Sequence, residues 1–198
     1  MRKLLLLLLP VLLFSWQEYK DVDGIKIYKK YDKKSEFVQF KARTQMPYSS
    51  EAISNIIMDS QTYPFWLADC IQADNIDNQV YLLMQPPWPL DQRQVWAEIQ
   101  KREYADRQVI TLRSIKKHEN ENRGVWFNYL YAEFVLEETQ ERKTQVTLTL
   151  LGDPGGFPPS WLVNLMAWQI PYKSLKDLNS YLGNAPINLI SVQPRRGL

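Results

Sequence analysis

Between Gly152 and Ile170 the chain changes character twice. A Gly/Pro turn, Gly152-Asp153-Pro154-Gly155-Gly156-Phe157-Pro158-Pro159, interrupts a β-rich region and leads into a helical stretch, WLVNLMAWQI, from Trp161 to Ile170. In that stretch only Asn164 and Gln169 are plainly polar. A surface helix carries one apolar stripe, so a helix that is apolar on every side is expected to be covered on every side. One long covered helix following a series of strands implies a sheet that curls around it. Such an arrangement can enclose an apolar cavity.

The chain before that turn supplies the strands. Gly24 to Tyr31 alternates with period two, and so does Phe37 to Thr44, with Val38, Phe40 and Ala42 on one face. Ser49 or Ser50 caps a helix carrying Ala52, Ile53, Ile56 and Ile57, and Tyr63-Pro64-Phe65-Trp66 is expected to end it. From 79 to 151 the pattern is a run of antiparallel strands: 80–84, 94–100, 110–113, a long aromatic strand over 125–137, and 145–150. A polar loop spans Lys116 to Gly124 and a hairpin turn spans Thr139 to Lys143. The final helix is expected from about Pro159 to Leu182, kinked at Pro171, with Gly183 as its cap. Ahead of all this, the segment after Trp16 reads as a short amphipathic turn or helix.

Residues 1–15 stand apart. Arg2 and Lys3 precede an apolar run from Leu4 to Phe14, the pattern of a secretory signal. As a helix the run reaches about 16 Å, too short for a bilayer core of roughly 30 Å. The expectation is export, to the periplasm or outside the cell, with an uncleaved membrane tether as the alternative because Leu13-Phe14-Ser15 is a poor cleavage site. The domain is then 16–198. Taking Arg2 and Lys3 from the 24 basic side chains leaves 22 against 22 acidic ones. A neutral domain lacks the basic stripe that nucleic acid requires, so no nucleic-acid partner is expected.

Catalytic sets are thin. His118 is the single histidine and sits in a charged loop, which leaves no Ser-His-Asp set and no zinc His cluster. No phosphate-cradling Gly loop is present, no metal or cofactor is expected, and Cys70, the one cysteine, is read as a buried small hydrophobe. Asp153 is expected to cap the turn or the helix that follows.

Four segments carry a family resemblance: Trp16 with Asp23-Gly24-Ile25-Lys26-Ile27-Tyr28; Tyr63-Pro64-Phe65-Trp66; Pro87-Trp88-Pro89-Leu90-Asp91-Gln92-Arg93; and Asp153-Pro154-Gly155-Gly156 followed by Pro159, Trp161, Leu162 and Asn164. In this order they resemble the StAR-related lipid-transfer (START) domains, most closely the exported bacterial type. The resemblance implies an α+β helix-grip (START/Bet v 1-like) fold, a curved antiparallel sheet wrapped around a long C-terminal helix. It implies a lipid or sterol-like ligand held between the two, no catalysis, a monomer, and transient membrane contact. If Arg93 points inward as the matching family position does, parity carries Val95, Ala97 and Ile99 inward. The implied ligand-binding set is Arg93, Trp66, Val95, Ala97, Phe127, Met166 and Ile170. Trp66 reads first as a core anchor and second as a pocket wall, whereas Trp161, Met166 and Ile170 divide evenly between pocket lining and plain core.

The chain departs from the family in places. Some members pair the inward Arg with an acid six residues after the Trp; here that position is Gln72, with Asp69 as a possible substitute. Phe127 stands where relatives often carry Arg. The loop at 116–124 is polar, so Trp88 and Phe157 are the expected bilayer contacts. The competing reading is a polyketide cyclase or aromatase-like enzyme using the same cavity, with Tyr129 or Tyr131 beside Arg93. A structural envelope protein with a filled core is the third.

Overall fold

The computed structural model describes residues 15–31, 35–115, 123–139 and 143–184. The apolar segment before Ser15 that reads as a secretory signal, His118 with most of its loop, and the centre of the Thr139–Lys143 turn lie outside the described residues.

The chain folds as one ten-stranded sheet gripping a C-terminal helix. The strands are β1 (Gln17–Val22), β2 (Ile25–Lys30), β3 (Gln39–Met46), β4 (Cys70–Ile76), β5 (Gln79–Met84), β6 (Arg93–Glu103), β7 (Gln108–Ser114), β8 (Val125–Trp126), β9 (Tyr129–Glu138) and β10 (Thr144–Asp153). Their order is β1-β2-β3-β10-β9-β7-β6-β5-β4; every pairing is antiparallel except that of the short β8 with β6. The helices are α1 (Ser50–Met58), α2 (Tyr63–Trp66), α3 (Ser160–Met166) and α4 (Gln169–Asn184). This is the α+β helix-grip architecture.

Alternation decides which side packs. On β6, Val95, Ala97 and Ile99 join the main core with Leu112 from β7, Phe134 and Leu136 from β9, and Val146 and Leu148 from β10. Leu175, Leu178 and Leu182 of α4, all fully buried, close that core from the helix side. Ser49 caps α1, its hydroxyl accepting from the Ala52 amide at 3.2 Å. Trp66 anchors the layer beneath: it is 2% exposed, donates its indole N–H to the Thr62 hydroxyl at 2.8 Å, and meets Tyr63 and Phe134 edge-on.

Several expectations are corrected. The segment after Trp16 is a strand, because Asp23 and Gly24, with φ of 53° and 74°, form a tight turn that pairs Gln17–Val22 with Ile25–Lys30. β4 was not legible, since only Cys70 and Ala73 along it are buried. Tyr63-Pro64-Phe65-Trp66 does not terminate α1, which stops at Met58. Pro64 instead starts α2, where its missing N–H costs nothing. The aromatic strand at 125–137 is interrupted at Phe127-Asn128, dividing β8 from β9. The final helix is likewise two helices. Pro171 would clash with the carbonyl of Ala167 in a continuous helix, so the chain breaks at Ala167-Trp168 and α4 restarts with Pro171 in its first turn. Gly183 lies inside the last turn of α4 instead of capping it.

Trp66→Ala is expected to cost about 3–5 kcal/mol, the range for emptying a buried aromatic site. Urea unfolding followed by circular dichroism measures it.

Candidate functional site

Where α4 covers the inner face fully, the core is solid. Toward the other end of the sheet the cover passes to α3, and a cavity of about 140 Å³ remains. Its walls are Leu112, Leu130, Phe134 and Leu150 from the sheet, Trp66 from α2, and Val163, Met166 and Ile170 from the two helices. Pro86, Pro87 and Leu90 of the β5–β6 turn, Pro154 and Phe37 complete its edge.

The cavity draws its few polar groups from specific local structures. Arg93 opens β6, where parity turns it inward with the core positions. It is 3% exposed, and its Nη1 donates to the Asp91 and Gln92 carbonyls at 2.8 and 3.4 Å. Its Nε is buried without a partner, and no carboxylate among the described residues forms an ion pair with it. Burial depresses the guanidinium's pKa, opposed by the Asp91 charge. Gln72 bonds Arg123 and Asp74, so it does not serve Arg93. Asp69 reaches the cavity as well, held with φ of 61° in the bend after α2. Burial pushes its carboxyl up, and Lys173 on α4, also in the wall, pulls it back.

The wall formed by α3 is fastened by one side chain. Asn164 accepts from the Val38 amide at 2.8 Å and donates to the Glu36 carbonyl at 2.9 Å, pairing α3 with the segment before β3 as a strand would. No side chain of α3 is buried. Its entry is fixed by Asp153, whose carboxylate accepts from the Gly155 amide at 3.0 Å, as expected of that residue. Gly155 has φ of 67°, and a Cβ there would strike the Trp126 carbonyl oxygen, so only glycine fits. α4, by contrast, is held firmly. The buried Ser174 hydroxyl accepts from the Ala68 amide, and Asp23 takes bonds from Tyr172 and Lys176 at 2.6 and 2.7 Å.

Of the residues singled out in the sequence, Arg93, Trp66, Phe127, Met166 and Ile170 line this cavity. Val95 and Ala97 share the inward face but sit deeper in the solid core, at 2% and 0% exposure, outside the lining. Asp69, named only as a possible partner for Arg93, lines the cavity without pairing with it, while Phe37, read on the opposite parity from Val38 in an alternating strand, and Lys173, a charged helix residue, were not identified as lining residues. Cys70 is buried, and its thiol is pushed up to about 12, so it stays protonated. Tyr131 faces the opposite side of the sheet, donating to Glu133 at 2.7 Å.

No protein-family model matches the chain. Among solved structures, the STAR-related lipid transfer protein of Xanthomonas axonopodis (fragment 25–204) superposes with a TM-score of 0.78 at 22% identity, covering 85% of this chain and 99% of that one. The fold is therefore that of the START domains, and the resemblance carried by the four sequence segments holds. In sequence, the chain is 27% identical over 173 residues to an uncharacterized protein of Pseudomonas aeruginosa, covering 84% of this chain and 86% of that one. It is also 27% identical over 176 residues to the human phosphatidylcholine transfer protein, covering 83% and 82%.

Two substitutions separate the roles of these groups. Asn164→Ala strands the Val38 amide and the Glu36 carbonyl and is expected to cost about 1–3 kcal/mol in chemical denaturation. Arg93→Met removes a buried charge that has no carboxylate partner. Its thermal midpoint is expected to equal or exceed that of the unaltered chain, as exchanges of buried charges for similar-sized apolar groups often do.

Proposed function

We propose that this chain binds one lipid or sterol-like molecule in the cavity beneath α3, for carriage or sequestration in the cell envelope. The carrying observation is Arg93: a buried guanidinium with an orphan Nε, set in a largely apolar wall that also holds Asp69 and Lys173. Hydrocarbon fills such a wall, and a phosphate, carboxylate or hydroxyl oxygen of the ligand supplies the acceptor that the protein withholds. START-type relatives named for lipid transfer, including the human phosphatidylcholine transfer protein, support the same reading.

The size of the cavity specifies how binding proceeds. About 140 Å³ is below the roughly 300–1,000 Å³ of sites for drug-sized ligands. A lipid therefore requires the wall to move outward, and α3 is the part able to do so. It buries no side chain of its own, lies between the Gly155-Gly156 turn and the Ala167-Trp168 break, and is clasped through Asn164. Rigid α4 stays in place as the floor.

The mechanism is non-covalent. Among the described residues, no two titratable side chains on the lining are hydrogen-bonded to one another, and Tyr131, a candidate partner for Arg93, lies on the outer face. These points favour binding over turnover. With residues 1–15 read as an export signal, the site of action is the envelope, and the domain works as a monomer.

Native mass spectrometry of the purified chain, followed by solvent extraction, is the test. A stoichiometric co-purifying lipid is the expected result. A clean apo mass with no uptake from a mixed lipid library counts against the reading. Arg93→Met is expected to weaken retention of a lipid with an anionic headgroup by about tenfold or more, the loss of one charged hydrogen bond. Uptake of an uncharged hydrocarbon probe stays unchanged.

A further inference from the structure

The sheet has a second concavity, on the face turned away from the helices. Side chains alternate along a strand, so the residues between the buried ones of β6, β7 and β9 point outward. In register, Thr111 of β7 lies between Gln100 of β6 and Glu133 of β9, and Val109 lies between Arg102 and Val135. Thr111, Val109 and Val135 are short and make a floor, with longer side chains around it. The tight turn after β6, closed by the Tyr104 amide on the Arg107 carbonyl at 2.8 Å, brings Tyr104 and Arg107 to one end. Arg113 and Tyr131, partners across β7 and β9, close the other. The hollow encloses about 410 Å³, against about 140 Å³ for the inner cavity, and so already has the size of a site for a small molecule.

Its charges are not balanced. The lining carries Arg102, Arg107 and Arg113 against a single carboxylate, Glu133. Glu133 accepts from the Tyr131 hydroxyl at 2.7 Å, and burial together with that bond pushes the phenol up to about 12, so Tyr131 remains the donor. Neighbouring carboxylates are committed elsewhere: Glu103 to Lys101 at 2.8 Å, Glu137 to Arg43 at 3.9 Å, and Asp106 to Arg107 at 3.1 Å. Glu98 stands opposite Arg113 in register without forming an ion pair with it. Among the described residues, then, neither Arg102 nor Arg113 has a carboxylate partner; Arg102 has a 3.5 Å contact with the Gln100 side-chain oxygen. Two of the guanidiniums lie over tyrosine rings, Arg107 at 4.9 Å from that of Tyr104 and Arg113 at 5.1 Å from that of Tyr131. Stacking uses the flat face of a guanidinium and leaves its edge N–H groups for an oxyanion, which they take through two parallel bonds.

We propose that this outer hollow binds a small phosphomonoester with a hydroxyl-bearing body, a phosphorylated sugar or sugar alcohol. A phosphate carries about 1.5 to 2 negative charges at neutral pH. That matches the surplus on the lining, three guanidiniums less one carboxylate. Arg102 and Arg113 take the phosphate oxygens. Thr111, Gln100 and the Glu133 oxygen not bonded to Tyr131 meet the hydroxyls of the body. Glu133 also rejects, by like-charge repulsion, a molecule that is anionic along its whole length. The concave shape suits a small molecule better than a protein surface, which buries about 800 Å² on each side. The site lies across the sheet from the inner cavity and does not rest on the lipid-binding reading.

Isothermal titration calorimetry of the full chain at low salt tests this with mannitol phosphate, mannitol and inorganic phosphate. Mannitol phosphate is expected to bind one-to-one and at least about tenfold more tightly than inorganic phosphate, and mannitol not at all. Arg102→Gln/Arg113→Gln should weaken mannitol phosphate by at least about tenfold, the loss of one charged hydrogen bond or more. Arg102→Lys/Arg113→Lys, which keeps the charge and loses the fork, should fall between the Gln variant and the unaltered chain. Both arginines are exposed, so neither variant should shift the thermal midpoint. Arg93→Met should bind mannitol phosphate as the unaltered chain does, and the Gln variant should keep its uptake of a monomeric lysolipid. No saturable binding of mannitol phosphate overturns the proposal, as does undiminished binding in the Gln variant. Full binding in the Lys variant overturns it too, since charge alone then suffices, and so does equal affinity for inorganic phosphate. Loss of binding in Arg93→Met with the Gln variant unaffected places the phosphate in the inner cavity and has the same consequence. Absence of lysolipid uptake with mannitol phosphate still bound would remove the lipid-binding reading and leave this site standing.

Discussion

The structure depends on an unequal match between one apolar sheet face and the helices available to cover it. The strands turn inward a continuous set of apolar side chains, from Ile25 on β2 to Leu82 on β5. α4 can shield only part of that face, with Leu175, Leu178 and Leu182 packed against β3 and its neighbours. At about 1.5 Å per residue its 16 residues extend roughly 24 Å. The rest must be covered by α3, a short helix reached through a turn and offset by the Pro171 break. The shortfall is the cavity. A proline that cannot continue a helix is thus the local cause of a space in the core.

Arg93 belongs to that same geometry. A guanidinium in an apolar wall loses hydration, and its two bonds to main-chain carbonyls at Asp91 and Gln92 leave Nε unmet. A solid core would exclude such a group or give it a carboxylate. Here the position six residues after Trp66 is Gln72, already engaged with Arg123 and Asp74, and Asp69 faces the cavity beside Lys173 instead. The arrangement leaves one buried N–H of Arg93 without an acceptor at the cavity wall.

Much of the fold was legible residue by residue. The alternation of Val95, Ala97 and Ile99, the Ser49 cap and the Asp153 turn each act over a few residues, so local chemistry was enough to read them. Where the reading failed, the deciding partner was distant or the signal divided. β1 is a strand only because β2 pairs with it across Asp23-Gly24. β4 carries too few buried positions to show a period, and the break at Ala167-Trp168 reflects a clash one turn upstream of Pro171. The cavity residues divide the same way: Arg93 and Trp66 stood out within motifs, whereas Asp69, Phe37 and Lys173 meet only after folding.

By itself the sequence determined a strand-rich sheet followed by a last helix, the inward face of most strands, and a final helical stretch that is apolar nearly all round. Those properties follow from periodicity and composition, which act within a few residues. Only the tertiary structure decided that α3 is covered on one side alone, and that Val95 and Ala97 fill core while Met166 and Ile170 border open space. Whether an apolar side chain is packed, borders a cavity or is left bare depends on how many neighbours reach it in space. No pattern along the chain records that number.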